Sequence, residues 1–168
     1  MTETELYAEF ERLGIGYALH KHPAVYTVEE SQRICGEIPG AHVKNLLLRN
    51  KKNELWLVCA MHDTPVNMKE LAAKIDSGRL SFANGEQLQT YLGTEPGSVS
   101  VLAIVNDAGN KVRVVFDERV LDADEVNFHP LRNDATVTLR TADVLRFLEA
   151  HRHPPLSIVI PSGVEGPL

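Results

Sequence analysis

VKNLLLRNKKNELWLVC, residues 43–59, decides the fold class. Two apolar runs, 46–48 and 55–59, flank a polar turn at 50–53, the pattern of two paired strands. A second pair is expected where 101–105 and 112–116 flank Asn106-Asp107-Ala108-Gly109-Asn110. The segment 136–139 and the apolar 158–160 add further strands. Helical signals lie between them. Leu6, Phe10 and Leu13 share one helical face, which Thr2 can cap and Gly14 can end. Thr27 and Glu30 form a capping-box pattern at the start of 27–34, segments 67–75 and 84–92 read as short helices, and 141–150 repeats the capped, amphipathic pattern. Strands outnumber what a doubly wound βα alternation needs, so the expectation is an α+β fold with a mixed, largely antiparallel sheet and surrounding helices. One domain is expected over residues 1–168, with a loose tail at 161–168 (PSGVEGPL).

Composition narrows the chemistry. The 168 residues are 43% hydrophobic and 24% charged, as in ordinary globular proteins. The first residues, MTETELYAEFERLG, are acidic and amphipathic rather than basic and then apolar, so neither a signal peptide nor a membrane span is read there and a cytoplasmic location is expected. Cys35 and Cys59 lack any CxxC or Cys/His spacing, and His20/His22 or His151/His153 have no carboxylate arrangement beside them. No metal site is expected. No glycine-rich phosphate loop is present, which argues against nucleoside triphosphate or dinucleotide cofactors. A net charge of -6 disfavours bulk binding of DNA or other polyanions. Residues 40–79 are the exception, with seven basic side chains (Lys44, Arg49, Lys51, Lys52, Lys69, Lys74, Arg79) against four acidic ones. A docked polyanion belongs there, although Arg49, Lys51 and Lys52 equally suit a solvated turn.

Four places are odd for a plain core. Lys44-Asn45 precedes Leu46-Leu47-Leu48, putting a lysine into a strand that should be buried. Such a lysine can donate to a phosphate or a developing oxyanion, or snorkel to water from a strand edge. Being adjacent, Lys44 and Asn45 point to opposite faces unless the strand bulges. Arg79 lies in a loop between two helices, suited to phosphate or to plain solvent exposure. Gly93-Thr94-Glu95-Pro96-Gly97-Ser98 is a turn whose N–H groups can form an oxyanion hole, as can many tight turns. His129 follows Phe128 in an apolar loop, as a ligand or as a structural histidine.

In this order, VKNLLLRNKK, GRLSFAN, LGTEPGSVS, NFHPLRNDATVTL and DVLRFLEAHRHPP resemble the YbaK/ProX-type aminoacyl-tRNA editing family across nearly the whole chain. The resemblance is nearest to stand-alone proteins similar to the editing insertion of prolyl-tRNA synthetase. It implies a metal-free, cofactor-free hydrolase that deacylates alanyl-tRNA(Pro) in trans. Its partner is the acceptor end of an aminoacylated tRNA, with prolyl-tRNA synthetase or an elongation factor as transient company. By the family pattern Lys44 contacts the terminal phosphate and ribose or stabilises the carbonyl charge, and Asn45 positions the substrate. Gly97 and Ser98 supply N–H donors to the oxyanion. His129, with Phe128 and Ile34, shapes the amino-acid pocket, and Arg79 assists with the tRNA end. Two alternatives stay open: a deacylase for cysteinyl-tRNA(Pro) or for seryl- or threonyl-tRNA, and a non-catalytic module that binds the acceptor end.

Overall fold

A computed structural model of the chain describes residues 1–25 and 27–161, the side chains of Val28 and Ser31 excepted. The expected tail beyond residue 161 therefore lies outside the described residues. The elements, in chain order, are α1 (Glu3–Leu13), β1 (Tyr17–Lys21), α2 (Val28–Cys35), β2 (Ala41–Arg49), β3 (Leu55–Met61) and α3 (Met68–Ile75). There follow β4 (Ser81–Phe82), α4 (Gly85–Gln87) with a π-helical turn (Leu88–Leu92), two 3-10 segments (Pro96–Ser98 and Val101–Asn106), β5 (Val112–Asp117), α5 (Glu118–Leu121), β6 (Glu125–Phe128), β7 (Ala135–Arg140), α6 (Thr141–Ala150) and β8 (Leu156–Ile158).

Local chemistry sets several of these boundaries. Thr2 caps α1 in a full capping box, and Gly14 ends it with φ 68°. Thr27 and Asn67 accept from the third backbone N–H of α2 and α3. At the tip of the first hairpin the Asn50 side-chain oxygen accepts from Lys52 and Glu54 N–H, which turns the chain from β2 into β3.

One sheet runs in the order β1-β7-β6-β2-β3-β5-β8, with β4 added to β2. Four of the seven strand pairings among the described residues are antiparallel (β1–β7, β2–β3, β2–β4, β6–β7) and three parallel (β2–β6, β3–β5, β5–β8), the mixed sheet expected of this α+β chain. Side-chain alternation gives β2 and β3 two buried faces. Leu47, Leu57 and Cys59 join α1, α6 and the second 3-10 segment in the larger core, which holds Leu6, Phe10, Ile104 and Phe147. Leu48, Trp56, Val58 and Ala60 face α3, Leu80 and Ile160 in a smaller one. No helix among the described residues is long and apolar enough to cross a membrane.

Three expectations need correction. Residues 101–105 form a 3-10 helix rather than a strand: Ser100 caps Leu102 N–H, and Val101, Leu102, Ala103 and Ile104 are all fully buried. The partner edges of β5 are taken by β3 and β8, so no second hairpin forms. Thr141 does not cap α6; Arg140 stands at the N-cap without a side-chain bond, and the Thr141 hydroxyl donates to Ala123 O. The last strand is β8, two residues before the expected 158–160, because Ile160 is inserted into the smaller core. Strands β1, β4 and β6 carried no separate sequence signal.

Candidate active site

β2 belongs to two half-sheets. Its first residues pair in parallel with β6 (Ala41 with Val126, His42 with Asn127), and its last pair with β4 (Leu48 with Phe82, Arg49 with Ser81). Between these contacts one edge of β2 has no strand partner among the described residues. His42 O accepts from His62 N–H beside β3, and Leu47 O accepts from Ala83 N–H on the opposite side. The even-numbered residues of β2 thus direct their peptide groups toward β3, and Asn45 turns its N–H and C=O into the opening. The resulting cleft, of about 30 Å³, is lined by Cys35, His42, Val43, Asn45, Asn127, Phe128, His129 and Thr136. It has room for one or two waters or a methyl-sized group.

The sides of the cleft are fixed by hydrogen bonds. Asn127, buried, donates through Nδ2 to Pro39 O (3.0 Å) and Ala41 O (3.2 Å) and accepts from the Thr138 hydroxyl, tying the entry to β2 onto β6. Gly40 at this junction has φ 104°, and a Cβ there would stand 3.1 Å from Asn127 Nδ2 and 3.2 Å from Glu125 O. Gly40→Ala is therefore expected to cost about 1–3 kcal/mol, a fall in Tm of at least roughly 2–4 °C by scanning calorimetry. An unchanged Tm would show that the junction relaxes freely.

His129 is placed by the turn between β6 and β7. Its Nδ1–H donates to Ala135 O at 3.0 Å, which leaves Nε2 as an acceptor in the neutral ring. Burial lowers its pKa below the usual imidazole value, the bond to Ala135 opposes that fall, and nearby His22 adds to it. The His22 ring meets His129 edge-on at 6.3 Å between centroids, held by Pro23 O and the Thr136 hydroxyl. Neutral His129 is thus the form favoured at pH 7.

The structure brings Asn45, Phe128 and His129 together in the cleft. Ile34, half-buried, precedes the lining residue Cys35 on α2. β2 pairs with β3 without a bulge, so Lys44 and Asn45 do point to opposite faces. Lys44 is not among the lining residues. It shares its face of the sheet with His42, one alternate position or about 7 Å away along the strand. Burial pushes the half-buried Lys44 ammonium below the ordinary lysine range, against a smaller pull from Asp63.

Asn45 Oδ1 accepts from Val101 N–H at 3.3 Å, anchoring the chain just after the 96–98 turn beside the cleft. Within that turn Ser98 N–H already donates to Glu95 O at 2.9 Å. As the turn stands, the Ser98 amide closes it, and no such bond is made by the Gly97 amide among the described residues. Arg79 lies elsewhere, exposed beside Met68, Lys69, Ala72 and Leu80 near the far end of β2. His42, Asn127 and Thr136 were missed in the sequence, since only strand pairing carries them to the cleft. Neither cysteine forms a disulfide, and burial holds the Cys59 thiol protonated by raising its pKa well above the usual value. Among the described residues no group of three or more His, Cys, Asp or Glu could hold a metal ion.

Comparison with known proteins gives the family. Residues 22–147 match the family model described as the aminoacyl-tRNA editing domain. The chain is 39% identical to the prolyl-tRNA editing protein ProX of Acetoanaerobium sticklandii, over 86% of this chain and 88% of that one. It is 37% identical to the prolyl-tRNA synthetase associated domain-containing protein 1 of Xenopus laevis, over 92% and 94%. A solved structure described as a candidate trans-editing enzyme for prolyl tRNA synthetase superposes with a TM-score of 0.72 at 18% identity, over 96% of this chain and 97% of that one, and speaks for the fold. The family match spans most of the chain, cleft included, and the chain belongs to the aminoacyl-tRNA editing domain family.

Proposed function

We propose that this aminoacyl-tRNA deacylase acts in trans on alanyl-tRNA(Pro). The observation that carries the reading is the size and polarity of the cleft: about 30 Å³, walled by Phe128 and a neutral His129, with the Asn45 peptide at its opening. An alanyl methyl fits such a space, and a proline ring overpacks it. A synthetase site large enough for proline discriminates against the smaller alanine by only a few kcal/mol, so a second, smaller sieve has a task to perform.

In the proposed reaction the ester carbonyl enters between β2 and the end of β6. Water adds to the carbonyl carbon, the tetrahedral oxyanion forms, and collapse breaks the bond to the ribose oxygen. The proton lost by water passes by way of the neighbouring ribose hydroxyl to the departing oxygen, giving free amino acid and free tRNA. Lys44, on the face shared with His42, meets the terminal phosphate and ribose or the developing charge, and Gly97 contributes through its backbone. Asn45 positions the substrate through its peptide groups, and Arg79 meets the tRNA away from the ester. The charged tRNA arrives after leaving prolyl-tRNA synthetase or an elongation factor.

The test is deacylation of a panel of mischarged tRNAs. Alanyl-tRNA(Pro) is expected to be hydrolysed at a rate that a chelator does not change, and prolyl-tRNA(Pro) to be spared. Preference for a cysteinyl, seryl or threonyl ester would overturn the assignment of substrate, and loss of activity on chelation with recovery on zinc would overturn the metal-free reaction.

A further inference from the structure

We propose that Phe82 is a stacking platform for an unpaired nucleobase of the acceptor end, upstream of the terminal adenosine. The proposal rests on a tRNA substrate, as argued above. Phe82 is 60% exposed, the most exposed large hydrophobic side chain among the described residues. Burying such a ring would stabilise the fold by about 1.5–3 kcal/mol, a gain this position forgoes. Yet the backbone that carries the ring is held in place. β4 pairs Phe82 with Leu48, Ala83 N–H donates to Leu47 O, and Asn84 caps the next helix in a capping box.

Its surroundings select the kind of occupant. Arg49 lies opposite the neighbouring Ser81, Lys51 and Lys52 are exposed on the hairpin tip, and Arg79 is exposed three residues earlier. Glu86 and Asp76 are the acidic side chains nearest in sequence. A protein-docking patch needs contiguous apolar surface, whereas Phe82 is a single ring between exposed Ser81 and Ala83, which packs against the larger core, with exposed Asn84 next. One aromatic face set among cations is the arrangement that binds single-stranded nucleic acid.

Register gives the direction. Phe82 stands opposite Leu48, on the face of the sheet that also carries Lys44. Four residues of strand separate their levels, about 13 Å. That exceeds the 3.4 Å of a single stacked step several times over, so a base on Phe82 lies upstream of the adenosine whose ester occupies the cleft.

The variants are Phe82→Ala and Phe82→Trp, compared on mischarged tRNA and on a 3′-aminoacyl adenosine ester too short to reach Phe82. For Phe82→Ala, kcat/KM on tRNA is expected to fall about tenfold or more while the short ester is unaffected, and Phe82→Trp retains the tRNA value. A tRNA value within twofold of wild type, or an equal loss on both substrates, overturns the proposal. A second measurement needs no turnover. The fluorescence of Phe82→Trp, read against wild type with its buried Trp56, is expected to be quenched saturably by a single-stranded RNA ending in CCA and not by a blunt duplex. No quenching, or equal quenching by the duplex, overturns the platform even if every ester proves inert, so its failure is distinguishable from failure of the deacylase reading.

Discussion

Replacing Lys44 by alanine is expected to lower kcat/KM on alanyl-tRNA(Pro) by at least about 10²-fold while leaving the fold intact. The magnitude is that of removing one preorganised donor from an acyl-transfer site, about 10²–10³ in rate. Lys44 is half-buried on the strand that edges the cleft, its charge already partly stripped of water and its pKa lowered by that burial. A cation in such a place acts on a nearby phosphate or oxyanion more strongly than one in bulk water. The fold does not depend on it, because the Lys44 side chain belongs to neither core cluster. Near-native circular dichroism with lost turnover is the expected pair of results. Activity within threefold of wild type would leave Lys44 as a strand-edge residue that snorkels to solvent.

His129→Ala is expected to change selection more than rate. With the ring gone the cleft widens, and the ratio of kcat/KM for a larger aminoacyl ester to that for the alanyl ester should rise about tenfold, the scale of one methylene in a tight pocket. The same residue predicts a pH dependence. Its pKa is lowered, so the neutral ring prevails at pH 7 and the imidazolium appears only as pH falls below the ordinary imidazole range. Protonation converts Nε2 from acceptor to donor and puts a charge in the cleft. Wild-type activity therefore falls on the acid side, and the variant lacks that limb. An unaltered ratio together with a persisting acid limb would move His129 from the sieve to the scaffold.

What could be read from the sequence divides along a physical line. The hairpin of β2 and β3 was legible because its pattern, turn and register are all local. Caps at Thr2 and Thr27 were legible for the same reason. Residues 101–105 were misread because a short apolar run has no period, and a buried helical turn and a buried strand look alike in it. The cleft could be anticipated at Asn45, Phe128 and His129 but not at Asn127 or Thr136. Those two arrive through pairings of β6 with β2 and β7, which no local signal encodes. The Gly97-Ser98 turn shows the same limit: its glycine is visible in the sequence, whereas the closure that consumes the Ser98 amide depends on the folded turn.

The site is a place where two strands stop holding each other. Its aperture is governed like the slider of a zip: pairing of β2 with β6 two residues further would close it, and pairing two residues shorter would leave it open to bulk solvent. The paired stretch is anchored at its start, where Asn127 Nδ2 donates to Pro39 O and Ala41 O beside the crowded Gly40. Substitutions at Phe128 or His129 then change the shape of the cleft and leave the strands in place, while a change at this anchor moves the strands themselves.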